Sequence, residues 1–492
     1  MKNIQYSKQK GILLKYKKAL RIFIFICFDA IAVSLIVALS YIIRLLVGQG
    51  WLTPLNTSWE YYASHSLWMA GSFVLFAIYE GLYTKRHIFI EEARTIVRMI
   101  SLCGLMIIAI LALSKEMANF SRIVMLNIYL LSLIIIPLVH YFGKRFLISL
   151  GFYSAPMLII GAGEAGIATA KGILAQPYLG YKLIGFLDDD LTKFKQLIPI
   201  ESSSFSIKGT IDNLEEVVKE QNVRSVAIAI PSLTTDKLTE ITNRAHHLVR
   251  SIMIIPNIKG VSLTNTELHY LFDQQLFMLK LSNNLDFSSN ALIKRIFDIS
   301  ISILMLPVLI PLIAIIGTII KLESSGPIFF THSRVGKNGD LIPILKFRSM
   351  FRDSKERLEK ILAESPEIKS EWEANFKLKN DPRITKIGAF LRKTSLDELP
   401  QIFNVLVGQM SLVGPRPVVQ EEIDKYYGEN ADYYHMVLPG ITGLWQVNGR
   451  SATSYEYRVG IDTWYVLNWS LWLDIVILFK TVKVVLARDG AY

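Results

Sequence analysis

Hydrophobic positions in the first third of the chain come in long unbroken runs rather than alternating with polar ones. Four such runs cover Ile22 to Leu46, Ser66 to Tyr83, Met99 to Ser114 and Ile123 to Tyr141. A helix crosses a bilayer with roughly 18–20 apolar residues, so each run approaches or exceeds a span. Lys8, Lys10, Lys15, Lys17, Lys18 and Arg21 precede the first run, whereas the connection from Val47 to His65 has no Lys or Arg. Lys85, Arg86, Arg94 and Arg98 follow the second run, and Lys144 and Arg145 follow the fourth. Basic residues collect on the cytoplasmic side, so this bias predicts a four-helix transmembrane domain over 1–150 with both ends in the cytoplasm. The basic start resembles a signal peptide, but the run is too long and lacks a small-residue cleavage site, so it reads as an uncleaved first span. Asp29 and Arg44, inside or at the edge of that span, predict an interhelical polar contact or an Arg reaching the interface.

From Ala155 the pattern changes to short apolar strands separated by helical segments. Met157 to Ile160 reads as a buried strand, followed by Gly161-Ala-Gly-Glu-Ala-Gly166 and a helix from Ile167 to Leu174. A second strand, Tyr181 to Leu187, runs into Asp188. That spacing fits a dinucleotide-binding unit, with Gly161, Gly163 and Gly166 at the phosphate turn and Asp188 on a ribose. The glycines serve equally well for a tight strand-to-helix turn alone, and a bound nucleotide and a purely structural or regulatory role both stay open. Further strands at Ser225 to Ile230 and Ser251 to Ile255, with a helix from Thr235 to Val249, predict a Rossmann-like α/β domain over 151–260. Tyr178 and Lys182 form a Tyr-x-x-x-Lys pair that resembles the catalytic pair of short-chain dehydrogenases and epimerases. Such a pair needs a helix; here Gly180 and the second strand interrupt it, so the spacing reads as coincidence.

Residues 261–290 read as a linker with local structure. A fifth apolar run, Ile299 to Ile320, contains Pro307 and Pro311. A proline inside a helix removes a hydrogen bond and clashes with the preceding turn. Lys294 and Arg295 before the run, and Lys321, Arg334 and Lys337 after it, put positive charge at both ends. Together these predict a re-entrant helix that dips into the membrane and returns, so that the remainder of 291–492 stays cytoplasmic. Beyond it, Asp353 to Phe376 reads as a charged, solvated helix and Ile387 to Arg392 as a short amphipathic one. Trp464, Trp469 and Trp472 fit a helix lying on the bilayer or a packed core equally well.

Composition agrees with a membrane protein of more than one domain. The chain has 492 residues, 51% of them apolar, and a mean hydropathy of +0.36. Its formal net charge of +11 suits anionic headgroups and phosphorylated substrates. No basic helix or aromatic-basic motif points to nucleic acid. Cys27 and Cys103 lie in apolar runs and supply neither a disulfide framework nor a metal site.

The chemistry concentrates between Ser395 and Pro417, where adjacent carboxylates, Asp397 and Glu398, precede a Gly-Pro-Arg-Pro turn. On a helix they diverge by about 100°, so they cannot act from one face as a glycosidase pair does. Both can reach one hydrated Mg²⁺, which takes one or two carboxylates plus phosphate oxygens. A carboxylate beside such a phosphate can attack it to give an acyl phosphate. Arg392, Arg416 and Arg450, with Lys346 and Arg348, are candidates to stabilise the developing charge. The alternative is structural: Ser395-Leu-Asp-Glu398 also reads as a capping box, although Pro400 then falls in the first turns.

The segments Lys294-Arg-Ile-Phe-Asp298, Lys346-Phe-Arg-Ser-Met350, Leu391 to Gln401, Asn404-Val-Leu406, Met410 to Pro417 and Pro439 to Arg450 occur in that order. Together they resemble the bacterial sugar transferases that load a hexose-1-phosphate onto polyprenyl phosphate, and the preceding half resembles the large members of that family. The resemblance implies Asp397 as nucleophile toward a UDP-hexose, Mg²⁺ at Asp397 and Glu398, and UMP as leaving group. Undecaprenyl phosphate is the implied acceptor, and Glu398 a metal partner or base. It implies substrate contacts from Lys346, Arg348, Arg392, Arg416, Gln446, Asn448 and Arg450, and structural ion pairs at Asp298 with Arg295, at Asp462 and at Asp474. Where small members often have Ser-Pro in the re-entrant helix, this chain has Ile310-Pro311. The expected protein is therefore a multi-pass enzyme of the bacterial inner membrane that starts a surface polysaccharide or O-antigen repeat. The middle domain is the expected place for homodimer contacts. A membrane-bound NAD-dependent nucleotide-sugar dehydratase or epimerase and a non-enzymatic polysaccharide-assembly scaffold are the alternatives.

Overall fold

The structure, a computed structural model, describes residues 2–48, 57–193, 197–200, 203–256, 267–271, 276–280, 288–364, 381–448 and 454–487. It divides into two compact units, Met1–Lys259 and Gly260–Tyr492.

The first unit opens with four helices: α1 (Lys2–Gly48), α2 (Trp59–Glu80), α3 (Phe89–Leu113) and α4 (Arg122–Ser149). α1 packs on α2 and α4, and α3 closes the bundle against both. Ile36, Val37, Tyr62, Phe73, Ile96, Met99, Val124 and Ile136 fill the centre, while Leu35, Leu67, Leu75, Leu105 and Ile134 stay exposed. Helices apolar on all sides suit a lipid surround. Among the described residues, four helical segments are long and apolar enough to cross a membrane: Ala19–Val47, Phe89–Leu113, Arg122–Ser149 and Ser289–Glu323. The second expected span is not among these four. Its residues form the later part of α2, which Glu80 and the left-handed Gly81 end, and Ser64, His65 and Ser66 dilute the apolar window.

Asp29 makes the interhelical contact expected of it. It accepts from Tyr83 Oη at 2.6 Å and meets His140 Nε2 at 2.9 Å. His140 Nδ1 lies 3.0 Å from Glu92 Oε1, and Lys144 pairs with the other Glu92 oxygen. Asp29, Glu92, His140 and Lys144 are all essentially excluded from solvent. On its outer side Lys144 Nζ lies over the Tyr178 ring, 4.5 Å from the centroid.

The rest of the unit is a five-stranded parallel sheet. Its strands are β1 (Ala155–Ile160), β2 (Tyr181–Leu187), β5 (Ile207–Gly209), β6 (Ser225–Ile228) and β7 (Ser251–Ile254). They lie in the order β5-β2-β1-β6-β7, and a short hairpin, β3 (Ile198–Ile200) and β4 (Ser203–Phe205), precedes β5. Central β1 is buried on both faces, as its apolar run predicts. α5 (Glu164–Leu174), α6 (Leu214–Glu220) and α7 (Thr235–His246) connect the strands. Tyr178 sits in a 3₁₀ turn, Pro177–Leu179, and Lys182 in β2, so no helix pairs them.

The second unit begins with a hairpin, β8 (Glu267–Leu271) and β9 (Leu276–Lys280), inside the stretch read as a linker. α8 (Ser288–Glu323) follows as one 36-residue helix containing Pro307 and Pro311. β10 (Phe329–Val335) and β11 (Leu341–Phe347) form an antiparallel hairpin, and β12 (Ser411–Val413) pairs in parallel with β13 (Gly440–Thr442). Ile316 and Ile320 of α8 share a core with Ile342, Ile344, Phe347, Leu391, Ile402, Val405, Val413, Val466 and Trp469. Trp469 is buried and donates Nε1–H to Asp474, whereas Trp464 stays 42% exposed; the tryptophans thus divide between core and surface. The charged stretch forms a helix over Ser354–Glu364; its remainder lies outside the described residues.

Side chains near the start of α8 are bound into this unit. Lys294 Nζ donates to Asp474 at 2.6 Å, and Asp298 accepts from Ser411 Oγ at 2.8 Å. Arg295 donates to the carbonyls of Val405 and Leu406, so the expected Asp298–Arg295 pair is replaced by separate partners. At the other end, Glu323 accepts from the backbone N–H of Lys386 at 2.8 Å.

Candidate active site

The helix Lys386–Thr394 starts at Thr385, whose buried hydroxyl accepts from Gly388 N–H at 2.9 Å. Gly388 lets the helix lie on the exit of β11, since a Cβ there would meet Ser349 O at 2.0 Å. The helix ends at Ser395, a left-handed residue with φ 58°. That reversal drops the chain into a 3₁₀ turn, Leu396–Glu398, before Pro400 starts the helix Gln401–Val407. Asp397 and Glu398 therefore sit on a short turn between two helices rather than along one. The Ser395 side chain makes no cap hydrogen bond, so the alternative capping box does not form.

Glu398 faces cations instead. Lys346 Nζ on β11 lies 2.6 Å from its Oε1, and Arg416 Nη2 lies 3.6 Å from the same oxygen. The half-buried Asp397 carboxyl is held above the usual carboxylate range, by burial first and by the Glu398 charge second, while Lys346 and Arg392 oppose the shift. Arg392 is fixed by its Nε–H bond to Ser349 Oγ at 2.9 Å. Burial lowers its own pKa, against the attraction of Asp397 and Asp381. The turn thus gathers two carboxylates and three cations from four stretches of chain.

Arg416 comes to Glu398 because β12, which leads into Gly414-Pro-Arg-Pro417, pairs with β13. Both glycine loops must touch: a Cβ on Gly440 would meet Gly414 N at 2.1 Å. The helix after β13, Leu444–Asn448, carries Gln446 and Asn448. Gln446 Nε2 donates to Ile441 O at 3.3 Å, and Asn448 Oδ1 accepts from Lys480 Nζ at 3.1 Å. Arg450 lies outside the described residues.

Arg348 is a correction. Only 7% exposed, it donates to Ser325 O and Ser324 O, each at 2.7 Å, and clamps the turn after α8. Its hydrogen bonds go to the carbonyls of Ser324 and Ser325 and to the Ser324 hydroxyl, not to the acidic turn. The sequence reading missed β10, which carries an exposed His332 and a half-buried Arg334. Hairpin register puts Phe330 opposite Lys346 and Arg334 opposite Ile342, so His332 and Arg334 share the face of Lys346. Burial, Arg334 and Lys346 lower the His332 pKa. The turn Gly336-Lys-Asn-Gly339 was the available signal for this hairpin.

The adjacent carboxylates suit Mg²⁺, which takes one or two such ligands and completes its shell with water and substrate phosphate. A cation there would relieve the repulsion that raises Asp397. No group of three or more His, Cys, Asp or Glu placed for a metal occurs among the described residues.

Residues 289–488 match the model of a family described as bacterial sugar transferase. Undecaprenyl-phosphate galactose phosphotransferase of Salmonella typhimurium is 40% identical, over 83% of this chain and 84% of its own. The chain belongs to the bacterial sugar transferases. UDP-glucose:undecaprenyl-phosphate glucose-1-phosphate transferase of Escherichia coli is 31% identical over 71% of this chain and 72% of its own. Exopolysaccharide production protein ExoY of Rhizobium meliloti is 46% identical over only 40% of this chain but 88% of its own. A short relative thus matches less than half of this transferase.

Residues 76–256 match a family described as a CoA-binding domain. A cleft of about 740 Å³ opens in this transferase at the C-terminal ends of β1, β2 and β6, lined by Gly161, Gly163, Asp188, Lys193, Lys237 and Arg244 among others. The three glycines divide by task. A Cβ on Gly161 would meet Ile230 Cγ1 at 2.5 Å and one on Gly166 would meet Gly161 O at 1.9 Å, whereas one on Gly163 would meet nothing within 4 Å. Asp188 accepts from Ala162 N–H at 2.7 Å and Asp190 N–H at 2.9 Å, and faces Lys193 at 3.4 Å. The acid expected to hold a ribose is engaged in holding its own loop.

Proposed function

We propose that this sugar transferase moves a hexose-1-phosphate from a UDP-hexose to undecaprenyl phosphate, starting a surface polysaccharide or O-antigen repeat. The observation that carries the reading is the unequal pair. Glu398 is ion-paired with Lys346, while Asp397, raised by burial and by Glu398, has no ion pair within 4.0 Å among the described residues. Asp397 is the nucleophile. Its Oδ forms a bond to the sugar-linked phosphorus as the phosphoanhydride bond breaks. The electron pair leaves on the bridging oxygen, now part of UMP. An oxygen of undecaprenyl phosphate then attacks the same phosphorus, and the carboxylate departs. Mg²⁺ bound at Asp397 and Glu398 would supply charge neutralisation for the diphosphate.

Side chains near both ends of α8 are bound to the same unit. This supports a helix that enters the bilayer and returns, because a full crossing would separate its ends by about 30 Å of hydrocarbon. The acidic turn then lies at the cytoplasmic face of the inner membrane, where a soluble donor meets a lipid acceptor. The dehydratase or epimerase alternative is disfavoured by Tyr178, which is buried beside Lys144 and shares no helix with Lys182.

Purified protein is incubated with UDP-galactose or UDP-glucose, Mg²⁺ and undecaprenyl phosphate, and UMP is followed. Donor-dependent UMP and a lipid diphosphate sugar are expected, with both abolished in Asp397→Asn. Absence of UMP with every UDP-sugar, or wild-type turnover in Asp397→Asn, overturns the reading.

A further inference from the structure

The helices and the sheet of the first unit meet around Tyr153, which lies between α4 and β1 and is 2% exposed. Three cations crowd its ring: Arg86 Cζ lies 4.5 Å from the centroid, Arg21 Cζ 4.8 Å and Lys144 Nζ 5.3 Å. Two of them have polar partners. Lys144 pairs with Glu92, and Arg86 donates to Tyr153 O at 3.0 Å and to Leu179 O. The half-buried Arg21 has only the ring. Among the described residues no hydrogen bond or ion pair reaches its guanidinium, and its Nε is buried.

The edge of the sheet adds two more arginines. Arg224 precedes β6 and Arg250 precedes β7; Arg224 N–H donates to Pro156 O at 2.9 Å, and Arg250 N–H to Arg224 O at 3.0 Å. β6 and β7 run in register from Ser225 and Ser251, so the two arginines are lateral neighbours on one face, about 5 Å apart. Arg224 Nε is also buried without a hydrogen bond. Burial lowers the Arg224 pKa, the Arg250 and Arg86 charges lower it further, and no carboxylate opposes them. The charges of Arg86, Arg224 and Arg250 act on Arg21 as well. Glu92, the acid beside Lys144, is taken up by Lys144 and His140. Among the described residues Arg21, Arg224 and Arg250 form no ion pair.

Guanidinium groups gathered in this way repel one another and lose hydration, a cost that an anion among them offsets. The place of the cluster indicates which anion. Arg21 lies at the start of the apolar segment Ala19–Val47, and its neighbours Leu20 and Phe23 are 45% and 62% exposed. A lipid lying against those side chains carries its headgroup at the level of Arg21, because basic side chains at the end of a span reach the interface. Guanidinium forks suit phosphate oxygens. Several of them around one headgroup also favour an anionic lipid over a zwitterionic one, whose own cation meets the same repulsion. The open cleft of this unit is a different place: it lies at the C-terminal ends of the strands, whereas Arg224 and Arg250 precede theirs.

We propose that Arg21, Arg224 and Arg250, backed by Arg86, form a binding site for the phosphate of an anionic phospholipid at the seam between helices and sheet. The bound headgroup neutralises the cluster and joins the two parts of this unit. None of its residues belongs to the second unit, so the site stands whatever reaction that unit performs.

The test uses the full-length chain in nanodiscs of phosphatidylcholine, alone or with phosphatidylglycerol. Native mass spectrometry reads the retained lipid, and thermal unfolding reads stability. Wild type retains phosphatidylglycerol in preference to phosphatidylcholine and melts higher when it is present. Arg21→Gln and Arg224→Gln each lower phosphatidylglycerol retention by about fivefold, and the double variant lowers it by about tenfold or more. Arg145→Gln removes an exposed cation near the end of α4 and retains lipid as wild type does. Equal retention in wild type and the double variant, or an equal loss in Arg145→Gln, overturns the site. Stabilisation of the protein in phosphatidylcholine by inorganic phosphate, with phosphatidylglycerol adding nothing, overturns the lipid as its occupant. If the double variant does not fold, Arg250→Gln decides, because that side chain is exposed, and wild-type retention there also overturns the site.

Discussion

Lys346 Nζ lies 2.6 Å from Glu398 Oε1, and this contact neutralises the neighbour of Asp397 rather than Asp397 itself. The two carboxylates follow one another in sequence, yet their electrostatic surroundings differ. Glu398 has a cation in hydrogen-bond contact, while Asp397 is half-buried beside a negative charge.

A nucleophilic Asp397 must be ionised, so activity is lost as pH falls through its raised pKa. Glu398→Gln removes the repelling charge and moves the acid limb of the kcat/KM profile to lower pH. Lys346→Met removes an opposing cation and moves the limb higher, with kcat/KM near neutrality down by about 10²-fold. Donor kcat/KM across pH checks both, and shifts of the same sign in both variants contradict this electrostatic account.

Lys294, Tyr465 and Trp469 all donate to the fully buried Asp474. Asp474→Leu alone strands an ammonium in the core and costs about 3–5 kcal/mol. Combined with Lys294→Met, the same change costs less, because no charge is left unpaired. Denaturant unfolding of the two variants in detergent checks the order.

Burial pushes the Asp462 carboxyl up to about 7, against the attraction of Arg458. The folded state then binds more protons than the unfolded state between an ordinary carboxylate pKa and about 7. This contribution to stability is present in acid and is lost as pH rises through that window. Asp462→Asn removes it, so the melting temperature of wild type relative to the variant falls as pH is raised from about 5 to about 7. A flat difference rules this out.

Gly166→Ala would place a Cβ 1.9 Å from Gly161 O, and destabilises the first unit by about 1–3 kcal/mol. Gly163→Ala meets no atom and leaves the melting temperature within about a degree or two of wild type. Thermal unfolding of both variants separates a glycine required by packing from one that borders the open cleft.

Much of this was legible wherever local pattern alone decides the structure. The second strand of the sheet runs Tyr181–Leu187, as its apolar run and flanking Gly180 and Asp188 predict. The acidic turn was found because Asp and Glu are adjacent in sequence. What escaped depends on contacts remote in sequence. Arg348 ends a catalytic-looking Lys-Phe-Arg motif, but the carbonyls that hold it follow α8. Ser395 looks like a helix start, yet it is the left-handed end of the preceding helix. Trp469 looks interfacial until Asp474 accepts its N–H. Arg334 was read only as a charge flanking a membrane segment, because the hairpin that gives it a face was not recognised.

The polar node of the bundle bears on how the protein is made. Its two acids, Asp29 and Glu92, belong to α1 and α3, while both basic partners, His140 and Lys144, belong to α4. During synthesis from the N-terminus the carboxylates emerge first and their partners last. An ionised carboxylate without a partner is costly in hydrocarbon. A chain stopped before His140 lacks both basic partners that Asp29 and Glu92 have in the folded bundle. The order of the charges along the chain makes the fourth helix the one that completes the node.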